Sequence, residues 1–399
     1  MGGSAFQSLN TPRMPSDVYE LVKARCHAAL RELYLCVASP IEGAEKNDFG
    51  DIDILVAWAK TPFASKDDAR AAIRTALGAE DAKYENVGDH YAIAWPDDTS
   101  IPQRHIQVDL TICSSLDRMQ WILFKHAHGD FWSIIGTVIR PYGLTVDEQA
   151  LWLRIPDIEK FNKNKAKIHL TSDLHDILHF LDLQVDTNWD RPFASRNDLY
   201  EYATSCRMFW VWSKEDALST MTASSEAVSE SNSNDGGKKI NSKDKRRMRT
   251  RPGFSKWVDE FIPRCREQGR FSEERTSRET VRDEAFARFP GAKEEYSLRL
   301  EEFLRCREKD RAVAEIKAIV PVAESGNTRQ AQYRGCLIKA LIQILIEGDN
   351  SYGIVPDVSL EGGITQFLKK HGDVIGNEAM ARHQRKYEEH QQKSQGSQD

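Results

Sequence analysis

The sequence has no apolar run close to the length of a membrane-spanning helix, about 18 residues or more. It also has no charged segment followed by an apolar one after Met1, so no secretory leader is predicted. Its seven cysteines are odd in number, scattered and never arranged as C-x-x-C, which argues against a disulfide framework and against a zinc site. These absences predict a protein of the cytoplasm or the nucleus that does not associate with membranes.

Three familiar site motifs are missing as well. The chain contains no P-loop, no G-x-G-x-x-G and no G-x-S-x-G, which disfavours a Walker ATPase, a dinucleotide-dependent dehydrogenase and an α/β-hydrolase. With 399 residues, of which 40% are hydrophobic and 29% charged, the composition is ordinary for a globular protein and leaves room for two or three structural units.

Two carboxylates stand within the otherwise apolar, β-branched segment 49–57. Asp51 and Asp53 form the only Asp-x-Asp of the chain. Residues i and i+2 of a strand share one face, so both carboxylates are predicted on one side, with Ile52 and Ile54 on the other. Neither has an obvious basic neighbour, and two adjacent carboxylates are costly unless a cation neutralises them. Oxygen ligands suit Mg²⁺ or Mn²⁺, so this strand predicts a divalent-metal site.

A second segment supplies a third carboxylate. Apolar and polar residues alternate strictly over residues 106–112, which places Asp109 on the polar face with Gln107 and Thr111. If the two strands are neighbours in one sheet, Asp51, Asp53 and Asp109 can converge on two ions about 3.5–4 Å apart. In the alternative interpretation, Asp51 is a turn residue and Asp109 an exposed polar residue of a strand.

A strand-like segment, 35–39, ends in Ala38-Ser39, and eleven residues, 40–50, separate it from Asp51. This spacing, together with Asp109 downstream, resembles nucleotidyltransferases of the DNA polymerase beta superfamily, which include poly(A) polymerase-like enzymes. The family has Gly where Ala38 stands, and Pro40 changes the turn because proline lacks an N–H and restricts the residue before it.

The resemblance implies catalytic and metal-binding roles for Asp51, Asp53 and Asp109, and a role for Ser39 in binding the triphosphate. Lys46, in the loop before Asp51, is a further candidate for binding the nucleotide, with a solvated loop lysine as the alternative. The implied activity is metal-dependent transfer of a nucleoside monophosphate from an NTP, with ATP expected, to an acceptor hydroxyl. An RNA 3′ end, a protein hydroxyl and a small molecule all stay open as acceptors. The competing hypothesis is an inactive protein that keeps the fold as a nucleotide- or protein-binding module, since its turn reads Ala38-Ser39-Pro40.

The predicted fold class is α+β, with a small mixed β-sheet nucleotidyltransferase core flanked by helices and followed by a mainly α-helical C-terminal region. The predicted divisions are a flexible N-terminus, a core, a helical extension, a disordered linker, a helical domain and a partly ordered to disordered tail. Their respective bounds are 1–15, 16–155, 156–218, 219–252, 253–350 and 351–399.

The linker ends in a basic cluster. Residues 238–251 contain eight Lys or Arg and a single Asp, and the residues before them are rich in Ser and Asn. Such a composition predicts disorder. The cluster is compatible with a nuclear localisation signal, a phosphate-binding patch or a solvated linker without a further role.

Overall fold

The computed structural model describes residues 3–86, 88–184, 189, 191–211, 242–354 and 363–395. The chain forms two compact units, Met1–Lys293 and Glu294–Asp399. The first contains all the strands of the described part of the chain, and the second is helical. The predicted α+β class with a helical C-terminal region is therefore confirmed.

A five-stranded mixed sheet forms the centre of the first unit. The elements up to the end of this sheet are β1 (Met14–Pro15), α1 (Ser16–Arg31), β2 (Tyr34–Ala38), β3 (Asp48–Phe49), β4 (Asp51–Ala59), α2 (Lys66–Leu77), β5 (Ala79–Tyr84), β6 (Asp89–Ala94) and β7 (His105–Ile112). The strand order of the sheet is β2-β4-β7-β6-β5, in which β4 and β7 run parallel and the other neighbours antiparallel.

The two faces of β4 pack against different helices. Ile52, Ile54 and Val56 lie in one core cluster with residues of α1 and α2. Leu55 and Ala57, on the opposite face, pack against the helix that follows β7. Since alternate residues of a strand point to opposite faces, Asp51 and Asp53 share their face with Leu55 and Ala57.

The N-terminal segment, predicted to be flexible over residues 1–15, is packed against the sheet over its described part. Phe6 and Met14 are 1% and 0% exposed. The Ala5 N–H donates to Oε1 of Gln107 over 2.9 Å, and Asn10 pairs with Arg104 of the segment before β7. The prediction of a flexible terminus was wrong because burial of these two large apolar side chains offsets the entropy lost on ordering the segment.

A second, antiparallel sheet lies later in the same unit, with the strand order β10 (Lys167–Thr171), β9 (Leu151–Arg154) and β8 (Leu144–Val146). Its strand β10 falls in the segment 156–218 that was predicted to be helical, where Ile168 and Leu170 alternate with polar residues and are buried. The elements of this region are α3 (Leu116–His126), α4 (Phe131–Ile139), a 3₁₀ turn (Arg140–Tyr142), β8 (Leu144–Val146), β9 (Leu151–Arg154), α5 (Pro156–Glu159), β10 (Lys167–Thr171), α6 (Leu174–Phe180) and α7 (Arg196–Thr204).

The described end of the predicted disordered linker is a helix, α8 (Ser242–Thr250), whereas residues 219–241 lie outside the described residues. Disorder was therefore the wrong expectation for residues 242–250. The first unit continues through α9 (Pro252–Lys256), a π-helical turn (Trp257–Phe261), α10 (Ile262–Glu267) and α11 (Arg278–Arg288).

The second unit begins within the segment predicted as one helical domain, 253–350, because the chain passes between the units at residues 293 and 294. Its elements are α12 (Ala292–Ile319), α13 (Thr328–Leu345), a 3₁₀ turn (Asn350–Tyr352) and α14 (Gly363–Gln395). The last helix covers most of the tail predicted to be partly ordered. No helix in the described parts of either unit is both long enough and apolar enough to cross a bilayer.

Candidate metal centre

The three predicted aspartates lie on one face of the central sheet. Strands β4 and β7 pair in parallel, with Asp53 opposite Asp109 and Asp51 opposite Gln107. The opposite face carries Ile52 and Val108, which are fully buried in the core. The expectation that the two strands are neighbours is therefore confirmed, and so is the assignment of the aspartates to the polar face.

The charges at this face are poorly compensated. Partial burial, followed by the negative charges of Asp51 and Asp109, raises the pKa of Asp53 to about 7. Burial and the charge of Asp109 also raise the pKa of Asp51. Among the described residues, neither carboxylate has a hydrogen bond or an ion pair, and the positive charge of Lys46 offsets the two effects only in part. Like charges held this way stabilise a bound cation.

Asp109 is held by two neighbours. Its Oδ1 accepts hydrogen bonds from Nε2 of Gln107 over 2.7 Å and from Nδ1 of His90, also over 2.7 Å. His90 lies on β6, directly opposite Asp109 in the antiparallel register. Both bonds end on Oδ1, so Oδ2 is left for another ligand. The alternation of apolar and polar residues predicts Gln107 on this face. It does not predict His90, because cross-strand register is a tertiary relationship that a local pattern does not contain.

A fourth carboxylate, Glu42, was also missed. Its Oε2 lies 2.7 Å from Nζ of Lys46, and its Oε1 accepts a hydrogen bond from the Tyr19 hydroxyl. Lys46 also lies over the ring of Phe49, 4.6 Å from the ring centroid. The predicted nucleotide-binding lysine is therefore paired with Glu42, and the negative charge of Glu42 adds to that around Asp51 and Asp53.

Ser39 follows directly after β2, and its Oγ lies 2.8 Å from Nε2 of His27 on α1. Burial, followed by the positive charges of Arg31 and Lys23, lowers the pKa of His27, so the neutral ring is favoured. His27 was not predicted as part of the site, because a contact between a helix and the end of a strand is a tertiary relationship that the local sequence does not contain.

Ser39 also borders a cavity of about 880 Å³. Two other kinds of residue surround it: the aromatic side chains Trp121, Phe124 and Trp189, and polar residues such as Asp117, Gln120 and His175. A concave site with aromatic walls and a few polar groups suits a small organic ligand. Phe124 and Trp189 stack on each other with ring centroids 5.0 Å apart, so this wall of the cavity is well packed.

The donor set can be compared with what a divalent cation requires. Across the part of the chain that the structure describes, no three His, Cys, Asp or Glu side chains are close enough to enclose a metal ion as they stand. The chemistry nevertheless fits a hard cation, because Asp51 and Asp53 are unpaired oxygen donors on one face and Oδ2 of Asp109 is free beside them. Mg²⁺ commonly keeps several waters and takes only one or two protein carboxylates, so an open set of this kind is sufficient.

No family model matches the chain, and no curated protein matches it.

Proposed function

We propose that the protein is a metal-dependent nucleotidyltransferase, which transfers a nucleoside monophosphate from an NTP to an acceptor hydroxyl. ATP is the first nucleotide to test. The observation that carries the proposal is the parallel pairing of Asp53 with Asp109, which puts three carboxylates of β4 and β7 on one face with two of them unpaired.

Asp51 and Asp53 would hold Mg²⁺ or Mn²⁺, and Asp109 would contribute Oδ2. A bound divalent cation would neutralise phosphate charge and favour ionisation of the acceptor hydroxyl. The protein orients the carboxylate of Asp109. Hydrogen bonds from His90 and Gln107 fix Oδ1 of Asp109, so its other oxygen points in a defined direction.

The transfer needs one bond formed and one broken. The acceptor oxygen bonds to the α-phosphorus, and the bond from that phosphorus to the pyrophosphate oxygen breaks. The proton of the acceptor hydroxyl passes to Asp109 or to water, and pyrophosphate leaves. Positioning and charge stabilisation account for most of the catalysis in reactions of this kind, so fixed carboxylates matter more than a strong base.

Ser39 and the cavity beside it are the proposed nucleotide site. The Ser39 hydroxyl, oriented by His27, would donate to a phosphate oxygen. The aromatic residues Trp121, Phe124 and Trp189, which line this cavity, would contact the base. Lys46 would have to give up its ion pair with Glu42 to bind a phosphate. We therefore expect Lys46 to contribute less to nucleotide affinity than Ser39.

Release of pyrophosphate from each NTP in the presence of Mg²⁺ or Mn²⁺ tests the proposal. The wild-type protein should release pyrophosphate when a suitable acceptor is supplied, and Asp51→Asn and Asp53→Asn should not. Asp67→Asn is the matched control, since it makes the same charge change on the exposed face of α2. Nucleotide binding without any pyrophosphate release across RNA, protein and small-molecule acceptors would instead identify an inactive binding module.

A further inference from the structure

The basic cluster that follows the undescribed segment 212–241 is built onto the folded first unit. Helix α8 contains Lys245, Arg246, Arg247 and Arg249 and a single acidic residue, Asp244. Asp244 is 6% exposed. Its carboxylate bridges Arg140, over 2.8 Å, and Arg247, over 2.7 Å. These ion pairs attach the helix to the folded unit.

A second attachment follows directly after the helix. Nη1 of Arg251 lies 3.2 Å from Oδ1 of Asp130, the residue before α4. The other oxygen of Asp130 accepts the backbone N–H of Phe254 over 3.1 Å. Phe254 is itself 1% exposed. Because the chain is held before and after the basic residues, α8 presents its cations on a fixed surface and does not behave as a free linker.

Three cations of the helix face outward. Lys245, Arg246 and Arg249 are exposed, and within the described residues none of them forms an ion pair. The pKa of Lys125 on α3 is lowered, mainly by burial. The positive charges of Arg247 and Arg251 nearby lower it further. Asp147 and Glu148 act in the opposite direction. Cations this close together repel one another, and their combined field attracts polyanions.

Lys125 connects this surface to the proposed active site. The ring of Phe124, which lines the cavity beside Ser39, lies with its centroid 4.8 Å from that of Trp132. The ammonium group of Lys125 lies over the ring of Trp132, 5.0 Å from the ring centroid. A chain of phosphates that contacts Lys125 would therefore pass close to the cavity.

We propose that α8, together with Lys125, is a binding face for a single-stranded polynucleotide, with RNA as the ligand. The inference rests on the proposed function in one respect: it names a polynucleotide end as the acceptor class of the transferase. The phosphates of a polynucleotide are regularly spaced, so several of them can each pair with a separate cation of this face. A membrane surface fits less well, because apart from Met248 the helix has no apolar side chain to insert into lipid.

The test measures binding of a fluorescent single-stranded oligoribonucleotide of about 20 nucleotides, without NTP or metal, over a range of salt concentrations. The variant carries Lys245→Ser, Arg246→Ser and Arg249→Ser. We expect weaker binding and a flatter dependence of log K on log salt, with the slope reduced by about 0.7 for each lost contact and by about 2 for three. The matched control carries Lys160→Ser, Lys163→Ser and Lys165→Ser, three exposed cations of the same unit, and should keep the wild-type slope.

Equal affinity and slope for the two triple variants would overturn the proposal. Tight binding of phosphatidylserine vesicles with no binding of RNA would also overturn it, in favour of a membrane surface. Failure of the transferase proposal gives a different result, because RNA binding sensitive to the α8 variant would then persist without pyrophosphate release.

Discussion

His27 and Ser39 are joined by a hydrogen bond of 2.8 Å between Nε2 of the ring and Oγ of the hydroxyl. The bond links the middle of α1 to the residue just after β2, at the edge of the cavity proposed to bind the nucleotide. It therefore fixes the one hydroxyl that sequence analysis assigned to the triphosphate.

Replacing His27 tests whether this orientation matters. His27→Ala should raise the KM for the NTP by about fivefold, the equivalent of one lost hydrogen bond at about 1 kcal/mol, with a small change in kcat. His27→Gln keeps a polar group within reach of Ser39 and should restore part of the KM. Initial rates of pyrophosphate release over a range of NTP concentrations give both constants. An unchanged KM in His27→Ala would show that Ser39 needs no positioning.

Removing one charge from the aspartate face should not destabilise the protein. Asp53→Asn relieves the repulsion from Asp51 and Asp109 and breaks no hydrogen bond or ion pair among the described residues, so the free energy of unfolding without metal should hold or rise. Urea unfolding followed by circular dichroism measures it. Asp67→Asn, on exposed α2, is the control for the general effect of a charge change. A clear loss of stability in Asp53→Asn alone would mean that its carboxylate has a stabilising partner.

His90 should act through Asp109. His90→Ala removes one of the two hydrogen bonds on Oδ1, so Asp109 becomes less well oriented. Loss of such an outer partner typically costs about 10–100-fold in metal affinity or activity. The Mg²⁺ concentration that gives half-maximal activity should rise, whereas the urea midpoint should change little. If the half-saturating Mg²⁺ concentration stays at the wild-type value, Asp109 does not depend on His90.

The buried His128 predicts a pH dependence of stability. Both ring nitrogens of His128 are buried and have no hydrogen-bond partner among the residues that the structure describes. The ring packs against Trp189 and Phe193, and burial lowers its pKa to about 4. The unfolded chain, with a His pKa of about 6.5, binds more protons between these two values. Stability should therefore fall as the pH drops from about 6.5 towards 4.

The size of this effect can be isolated with one variant. At pH 5 the His128 contribution should amount to a loss on the order of 1–2 kcal/mol relative to pH 7. His128→Phe removes the titrating group, so the difference in unfolding free energy between pH 7 and pH 5 should shrink by that amount. Residue 128 has a positive φ, so the larger ring could add strain. Such strain is the same at both pH values and cancels from the difference in unfolding free energy. An equal pH difference in the two proteins would contradict the assignment.

The sequence was sufficient for the faces of the strands and insufficient for their neighbours. The two-residue period of a strand placed Asp51 and Asp53 together, and strict alternation placed Asp109 on its polar face. That β4 lies beside β7, more than fifty residues later, could be expected from the family resemblance but not from local pattern. The partners His90, Glu42 and His27 come from other elements, and no residue spacing encodes such tertiary contacts.

Composition was also a poor guide where a few contacts outweigh it. The basic residues of α8 predict disorder, yet Asp244 and Arg251 attach the segment through ion pairs with Arg140 and Asp130. At the N-terminus, burial of Phe6 holds a segment that was predicted to be flexible.

The most direct test of the central claim, that the aspartate face of β4 and β7 holds a divalent cation together with a nucleotide, is a thermal-shift titration. Wild-type protein, Asp53→Asn and the control Asp67→Asn are heated with Mg²⁺ alone, each NTP alone, and both together. A ligand that binds only the native state at a hundredfold excess over Kd stabilises it by about 2.7 kcal/mol. We predict that Tm rises most with Mg²⁺ and one NTP together, equally in the wild type and Asp67→Asn, and that this rise is lost in Asp53→Asn. No rise with any NTP, or the same rise in Asp53→Asn, would contradict the account.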